Sequence, residues 1–126
     1  MNKFPGRGEI WLVNWNPARG SEQAGKRPAL IIQNDTGNKN ASTTIVAAIS
    51  TSVKLYPMNV KIEPHESGLH DISMVKTSQI FTISKIRLEK KLGQLSEEKI
   101  EKVNQAIKLS LGLENLNIVR RDATKC

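Results

Sequence analysis

Residues 26–49 read KRPALIIQNDTGNKNASTTIVAAI, two apolar runs separated by a polar interval. Arg27-Pro28 opens the first run, because a residue before proline is held extended. ALIIQ continues as a strand and is ended by the turn-prone NDTGNKNAS. TTIVAAI, residues 43–49, is apolar on both alternating sets, the pattern of a strand buried on both faces. Upstream, EIWLVNW (9–15) is a β-branched and aromatic run stopped by Asn16-Pro17. Between these strands ARGSEQAGK, with two glycines among polar residues, reads as a mobile loop. Downstream, MNVKIEP (58–64) alternates so that Met58, Val60 and Ile62 share one face. Residues 72–80 and 82–88 are weaker strand candidates.

The C-terminal element has a different period. Ser96 precedes Glu97 and Glu98, a cap followed by acids at the positive end of a helix dipole. Ile100, Val103, Ile107 and Leu111 recur at helical spacing, and Gly112 falls where the helix should stop. Several short strands followed by one amphipathic helix predict a mainly β protein with α, a small partly open β-barrel covered by a C-terminal helix. Alternating βαβ units are not indicated. The domain is expected to span residues 1–113, with 114–126 a tail of low apolar content that need not be ordered.

A chain of 126 residues forms one domain with a real core. Its hydrophobic fraction of 38% and charged fraction of 25% are those of a soluble globular protein. The longest apolar runs are far shorter than the roughly 20 residues a membrane helix needs. MNKFPGRGEI lacks the apolar stretch of a signal peptide, so a cytoplasmic protein is expected. Cys126, the only cysteine, excludes an internal disulfide framework and a cysteine-based metal site. The net charge is +7, with residues 1–61 carrying eight Lys/Arg against three acids. Such an excess attracts polyanions through long-range attraction and counterion release, although many small soluble proteins are basic without that purpose.

Lys26 and Arg27 are delivered by a Gly-flanked polar loop to the start of a buried strand. A guanidinium on a rigid strand edge suits bidentate phosphate binding; the simpler use of both cations is to solvate the strand end. His65 and His70 lie in PHESGLHD, where the second histidine falls one position too late for H-E-x-x-H, and Pro64 and Gly68 argue against a helix. Surface-loop histidines and no metal site are therefore expected. Trp11 and Trp15, four apart on one strand, share a face and are assigned to the core rather than to base stacking. Arg87, Lys90 and Lys91 read as the solvated end of a strand, with an RNA-tracking role as the other use. Leu109 and Ser110 are open to partner or dimer contacts.

EIWLVNWNP, GSEQAGKRP, IQND and IVAAIST keep their order and spacing in a way that resembles the PemK/MazF family of bacterial ribonuclease toxins, from about Gly8 to Leu113. The resemblance implies an SH3-like barrel, usually a homodimer, that cleaves single-stranded RNA at short motifs and is inhibited by a cognate antitoxin. It places the family's active-site arginine on Arg27 and its catalytic hydroxyl on Ser50, with Thr51 alongside. Many relatives carry threonine at the Ser50 position; serine keeps the hydroxyl and loses the methyl. Ser21, Glu22 and Gln23 match the loop that folds over RNA, and Gln79 a position near the RNA path. Lys26 joins these as an RNA-binding candidate.

These residue types suit metal-independent cleavage without a cofactor. RNA carries its own nucleophile, the ribose 2′-hydroxyl, so the protein supplies positioning, charge stabilisation and proton transfer. Arg27 fits charge stabilisation, Ser50 or Thr51 fits hydrogen bonding to the phosphate or the 2′-hydroxyl, and Glu22 is a candidate base if loop closure desolvates it. A basic groove predicts an acidic, partly disordered antitoxin segment. Two other functions fit the same outline: a non-enzymatic toxin of this fold that poisons a protein such as DNA gyrase, and a non-catalytic RNA-binding module.

Overall fold

The computed structural model describes residues 4–16 and 25–115. Six strands, β1 (Glu9–Asn14), β2 (Lys26–Ile31), β3 (Thr43–Ser50), β4 (Asn59–Ile62), β5 (Ser73–Ser84) and β6 (Leu88–Gln94), form one antiparallel sheet in the order β4-β5-β3-β2-β1-β6. The edge strands β4 and β6 do not pair, so the barrel is partly open. Three helices accompany the sheet among the described residues: α1 (Asp35–Asn40), α2 (Pro64–Ser67) and α3 (Glu97–Ser110). The expected architecture of a strand-built barrel with a C-terminal amphipathic helix is the one observed.

Because side chains alternate along each strand, the central strands feed two apolar clusters on opposite faces. Ile10, Leu30, Ala47, Ile49, Val60, Ile62 and Val75 pack with Val103 and Ala106 of α3. Val13, Trp15, Ala29, Ile31, Val46 and Ile83 form the second cluster. Trp15 is buried there edge-on to Phe81, with ring centroids 5.1 Å apart, and Trp11 packs against the same cluster. Trp15 is a core residue, as expected, and Trp11 is half-buried against the same cluster. Full burial of an aliphatic side chain such as Val103 contributes roughly 1.5–3 kcal/mol.

Helix α3 begins and ends as its sequence dictates. The Ser96 hydroxyl accepts from the Lys99 N–H at 3.2 Å, and Gly112 adopts φ 74° so that the Leu113 N–H reaches the Lys108 carbonyl at 2.7 Å. Arg7 binds the helix to the sheet, donating to the Ile32 carbonyl at 2.8 Å and to Asn104 Oδ1 at 2.7 Å. Leu111 departs from the expected apolar stripe; it caps the helix and is exposed.

Three local expectations are corrected. The polar interval after β2 is not all turn: Asn34 caps α1 by accepting from the Gly37 N–H at 2.8 Å. Pro64 and Gly68, read as helix breakers, bound the helix α2 instead. Proline needs no N–H at the first helical position, and Gly68 ends the helix in the left-handed region at φ 74°. The two weaker strand candidates are a single strand, β5, followed by a 3₁₀ turn at Lys85–Arg87. The sixth strand, LEKKLGQ, is a polar edge strand. Gly93 within it passes so close to α2 that a Cβ would lie 2.5 Å from the Glu66 carbonyl oxygen.

Candidate active site

Strands β2 and β3 converge on the site. Ala29 pairs with Ala48 across their antiparallel ladder, and two residues further along each strand stand Arg27 and Ser50. Arg27 pairs on its other side with Val13 of β1, and Ser50 with Met74 of β5. The β2–β3 ladder ends at Ala29–Ala48, so Arg27 and Ser50 stand just beyond it at the same end of the two strands, flanked by the buried Val13 and Met74. Arg27 is exposed and Ser50 half-buried. The Ser50 Oγ accepts from the Ser52 N–H at 3.1 Å, so its own O–H proton is available to donate outward. Thr51 lies on the exposed bend after β3.

The other sequence-predicted residues separate. Lys26 alternates to the face opposite Arg27 and pairs with Glu89 of β6 at 2.9 Å, so it does not join Arg27 and Ser50. Ser21, Glu22 and Gln23 lie outside the described residues. The stems of their loop are held together: the Trp15 N–H donates to the Gly25 carbonyl at 2.8 Å and the Gly25 N–H to Asn16 Oδ1 at 2.9 Å. Arg87 fastens the same stem, donating from Nη1 to the carbonyls of Asn14 and Asn16 at 2.9 and 2.7 Å. Arg87 is therefore a strut, not a cation tracking RNA; Lys91 pairs with Glu9 at 3.1 Å.

Gln79 stands at an irregularity of β5. Ala47 stands opposite Ile80 and Ala48 opposite Lys76, so Thr77, Ser78 and Gln79 bulge from β5. The bulge is pinned on both sides. Both the Thr77 N–H and its Oγ1 donate to the Met58 carbonyl, at 2.9 and 2.7 Å, while Ser110 Oγ of α3 donates to the Thr77 carbonyl at 2.6 Å. Ser110 is thereby a structural link between helix and sheet. Ser78 and Gln79, with Lys54, Leu55, Tyr56, Asn59 and Lys76, line a pocket of about 370 Å³. Lys54, Tyr56 and Lys76 were not among the candidates the sequence offered, because Lys76 stands in the mixed stretch MVKTSQI, where a polar residue is unremarkable.

His65 sits exposed on α2 and His70 exposed after it, and no trio of His, Cys, Asp or Glu side chains among the described residues is grouped to hold a metal ion. Among the described residues no helix is long and apolar enough to cross a membrane. Away from the site, burial alone would raise the Glu9 carboxyl. Hydrogen bonds from the Gly6 N–H and Trp11, and the Lys91 ammonium, outweigh it and hold the group below its ordinary value.

Fold and site together define a small, partly open β-barrel that presents a guanidinium and a hydroxyl at one end of two neighbouring strands. Residues 6–111 match the family model of the PemK-like, MazF-like toxin of type II toxin-antitoxin systems. Among curated relatives, the chain is 46% identical to Endoribonuclease MazF of Staphylococcus saprophyticus over 112 residues, 87% of this chain and 93% of the relative. It is 45% identical to Endoribonuclease MazF of Staphylococcus epidermidis over 113 residues, 88% of this chain and 94% of that one. Its fold matches a mycobacterial endoribonuclease solved in complex with its cognate antitoxin, with TM-score 0.75 and 24% identity over 88% of this chain and 98% of that one. The chain belongs to the PemK-like, MazF-like toxin family.

Proposed function

We propose that this protein is the toxin of a type II toxin–antitoxin pair and acts as an endoribonuclease on single-stranded RNA, cutting at short sequence motifs without a metal ion. The observation that carries the reading is the β2–β3 register, which ends at Ala29–Ala48 and leaves Arg27 and Ser50 together at one end of the two strands. Relatives at 45–46% identity named as endoribonucleases support it and favour it over a toxin that poisons a protein target.

The ribose 2′-oxygen attacks the scissile phosphorus in line with the departing 5′-oxygen. A 2′-O–P bond forms, the P–O5′ bond breaks, one proton leaves the 2′-hydroxyl and one reaches the 5′-oxygen. The products are a 2′,3′-cyclic phosphate and a 5′-hydroxyl. Arg27 donates to the phosphoryl oxygens as negative charge builds on them, where a preorganised cation is most effective. Ser50, with its oxygen already accepting from Ser52, donates its proton to the phosphate and fixes its position. Thr51 adds a hydroxyl at the rim. Glu22, with Ser21 and Gln23 of the same loop, is assigned to proton transfer, and Gln79 to flanking RNA; Lys26, turned to the opposite face and paired with Glu89, takes no part.

By the same reading the domain covers residues 1–113, the tail 114–126 is separate from it, the protein is a cytoplasmic homodimer, and an acidic antitoxin segment covers the basic face. The test is incubation with long single-stranded RNA in excess EDTA, followed by mapping of fragment ends. Fragments with 5′-hydroxyl ends at a recurrent short motif are expected. Intact RNA, or cleavage that strictly requires a divalent cation, overturns the reading.

A further inference from the structure

We propose that α2 is a clasp that closes the barrel along the seam between β4 and β6, and that it opens together with the edge of β6 as one unit before the rest of the sheet unfolds.

The seam lies where the sheet has its two edges. β4 pairs only with β5 and β6 only with β1, so no strand ladder joins them. Strand edges left bare invite pairing with other chains unless something covers them. Helix α2 starts two residues after β4 ends, and it packs on β6 with backbone against backbone. A Cβ on Gly68 would overlap the Leu92 carbonyl oxygen, and one on Gly93 would lie 2.5 Å from the Glu66 and Ser67 carbonyl oxygens. Two glycines therefore set how closely the seam shuts. Among the described residues no hydrogen bond links α2 to β6, so this contact does not hold itself closed.

The fastening comes from α3. Lys99 Nζ donates to the Lys61 carbonyl of β4 at 2.9 Å and pairs with the Glu66 carboxylate of α2 at 3.4 Å. Glu66 in turn accepts from the Glu63 N–H at 2.8 Å, half of the capping box on which α2 starts. The Lys99 and Glu66 side chains are only 20% and 11% exposed, which sets them apart from solvent-screened surface pairs. One ammonium thus joins β4, α2 and α3. Beneath it Ile62, Leu95 and Val103 share one apolar cluster, with Leu69 and Leu92 packed against it.

A helix of four residues has no stability of its own, so α2 depends wholly on these contacts. Segments held by few contacts open locally, below the cost of global unfolding. The seam is also separate from the candidate site. One strand stands between each sheet edge and the β2–β3 pair that carries Arg27 and Ser50. Opening the clasp leaves that pair flanked and in register.

The experiment follows amide hydrogen exchange by mass spectrometry in the full chain, for wild type, K99M, K99R and K102Q. Thermal melts check that each variant is folded. K99M should raise exchange about tenfold in residues 63–69 and 92–94 together, as for loss of one hydrogen bond to a charged group. Residues 27–31 and 45–50 should keep wild-type rates. K99R, which retains a cation and its donors, should restore much of the protection. K102Q, which removes the same charge from an exposed position on α3, should match wild type. Exchange that rises across the whole sheet in K99M would make Lys99 a contributor to global stability alone and overturn the clasp. A rise in 63–69 without 92–94, or no change in either segment, overturns it as well.

Discussion

The two ends of the β2–β3 pair carry polar residues of similar kinds and use them in opposite ways. At one end Gln33, Asn38 and Thr44 form a closed network: Asn38 Oδ1 accepts from Gln33 Nε2 at 3.1 Å and from Thr44 Oγ1 at 2.7 Å, and Asn38 Nδ2 donates to the Gln33 carbonyl at 3.0 Å. Lys85 completes it, donating to the carbonyls of Asn38 and Ala41 at 2.6 and 2.8 Å. Asn38 and Thr44 are wholly buried. At the other end Arg27 and Thr51 are exposed, Ser50 is half-buried, and a bulge and a loop open a pocket beside them. Polar groups sealed from water stabilise the fold only when satisfied by one another. Groups left facing solvent on a rigid frame are available to a ligand. The closed end holds the strands in register; the open end exploits that register.

Substitutions at the two ends should separate activity from stability. The largest effect is expected at the open end. Arg27→Ala should lower kcat for RNA cleavage by about 10²–10³-fold, the loss seen when one transition-state donor is removed, with an unchanged urea midpoint. Ser50→Ala should cost about tenfold, as for one hydrogen bond, in the same assay. A near-normal rate in the Arg27 variant would remove the central assignment.

At the closed end the pattern should invert. Asn38→Ala leaves the buried Thr44 hydroxyl without its acceptor and the Gln33 amide with only the Thr43 carbonyl, and should cost about 2 kcal/mol in urea unfolding. The specific activity of the folded fraction should be that of wild type. If the Asn38 variant lost activity while keeping its stability, the division between the two ends would be wrong.

The smallest effect belongs to the sheet edge. Glu9→Gln should cost about 1 kcal/mol at pH 7, by weakening charge-assisted hydrogen bonds from Gly6 and Trp11 and the pair with Lys91. Because the folded-state pKa of Glu9 lies below its ordinary 4.5, its contribution is present above the unfolded value and lost as pH falls through the folded one. The gap in Tm between wild type and Glu9→Gln should therefore narrow as pH is lowered through this range. A gap that widened would reverse the sign assigned to this carboxylate.

Legibility followed local physics. Helix α3 was readable because cap, dipole acids, apolar period and terminal glycine all agree within one segment. The short α2 was misjudged because Pro64 and Gly68 break helices in their interiors but serve at their ends. Strand β6 was hidden because LEKKLGQ is an edge strand with little apolar alternation, stabilised by pairing with β1. At the site, the proline and the loop before Arg27 marked it as a phosphate-binding candidate, while Ser50 was pointed to by the family resemblance and not by its own local pattern. Lys76 did not stand out, since a lysine in a strand carries no mark of which neighbours it will face.

The amino-acid sequence alone determined the class of fold, the helix and the basic balance, because propensity, periodicity and capping act over a few residues; the candidate arginine and hydroxyl came with the family resemblance of its motifs. Only the tertiary structure decided that Ser50 and Arg27 share one end of the β2–β3 pair, with Thr51 on the bend beyond. It also sent Lys26 to the opposite face to meet Glu89, and brought Lys76 to the wall of a pocket. Those outcomes depend on strand register and on one bulge in β5, which pair residues far apart in the sequence and are set by packing of the whole sheet.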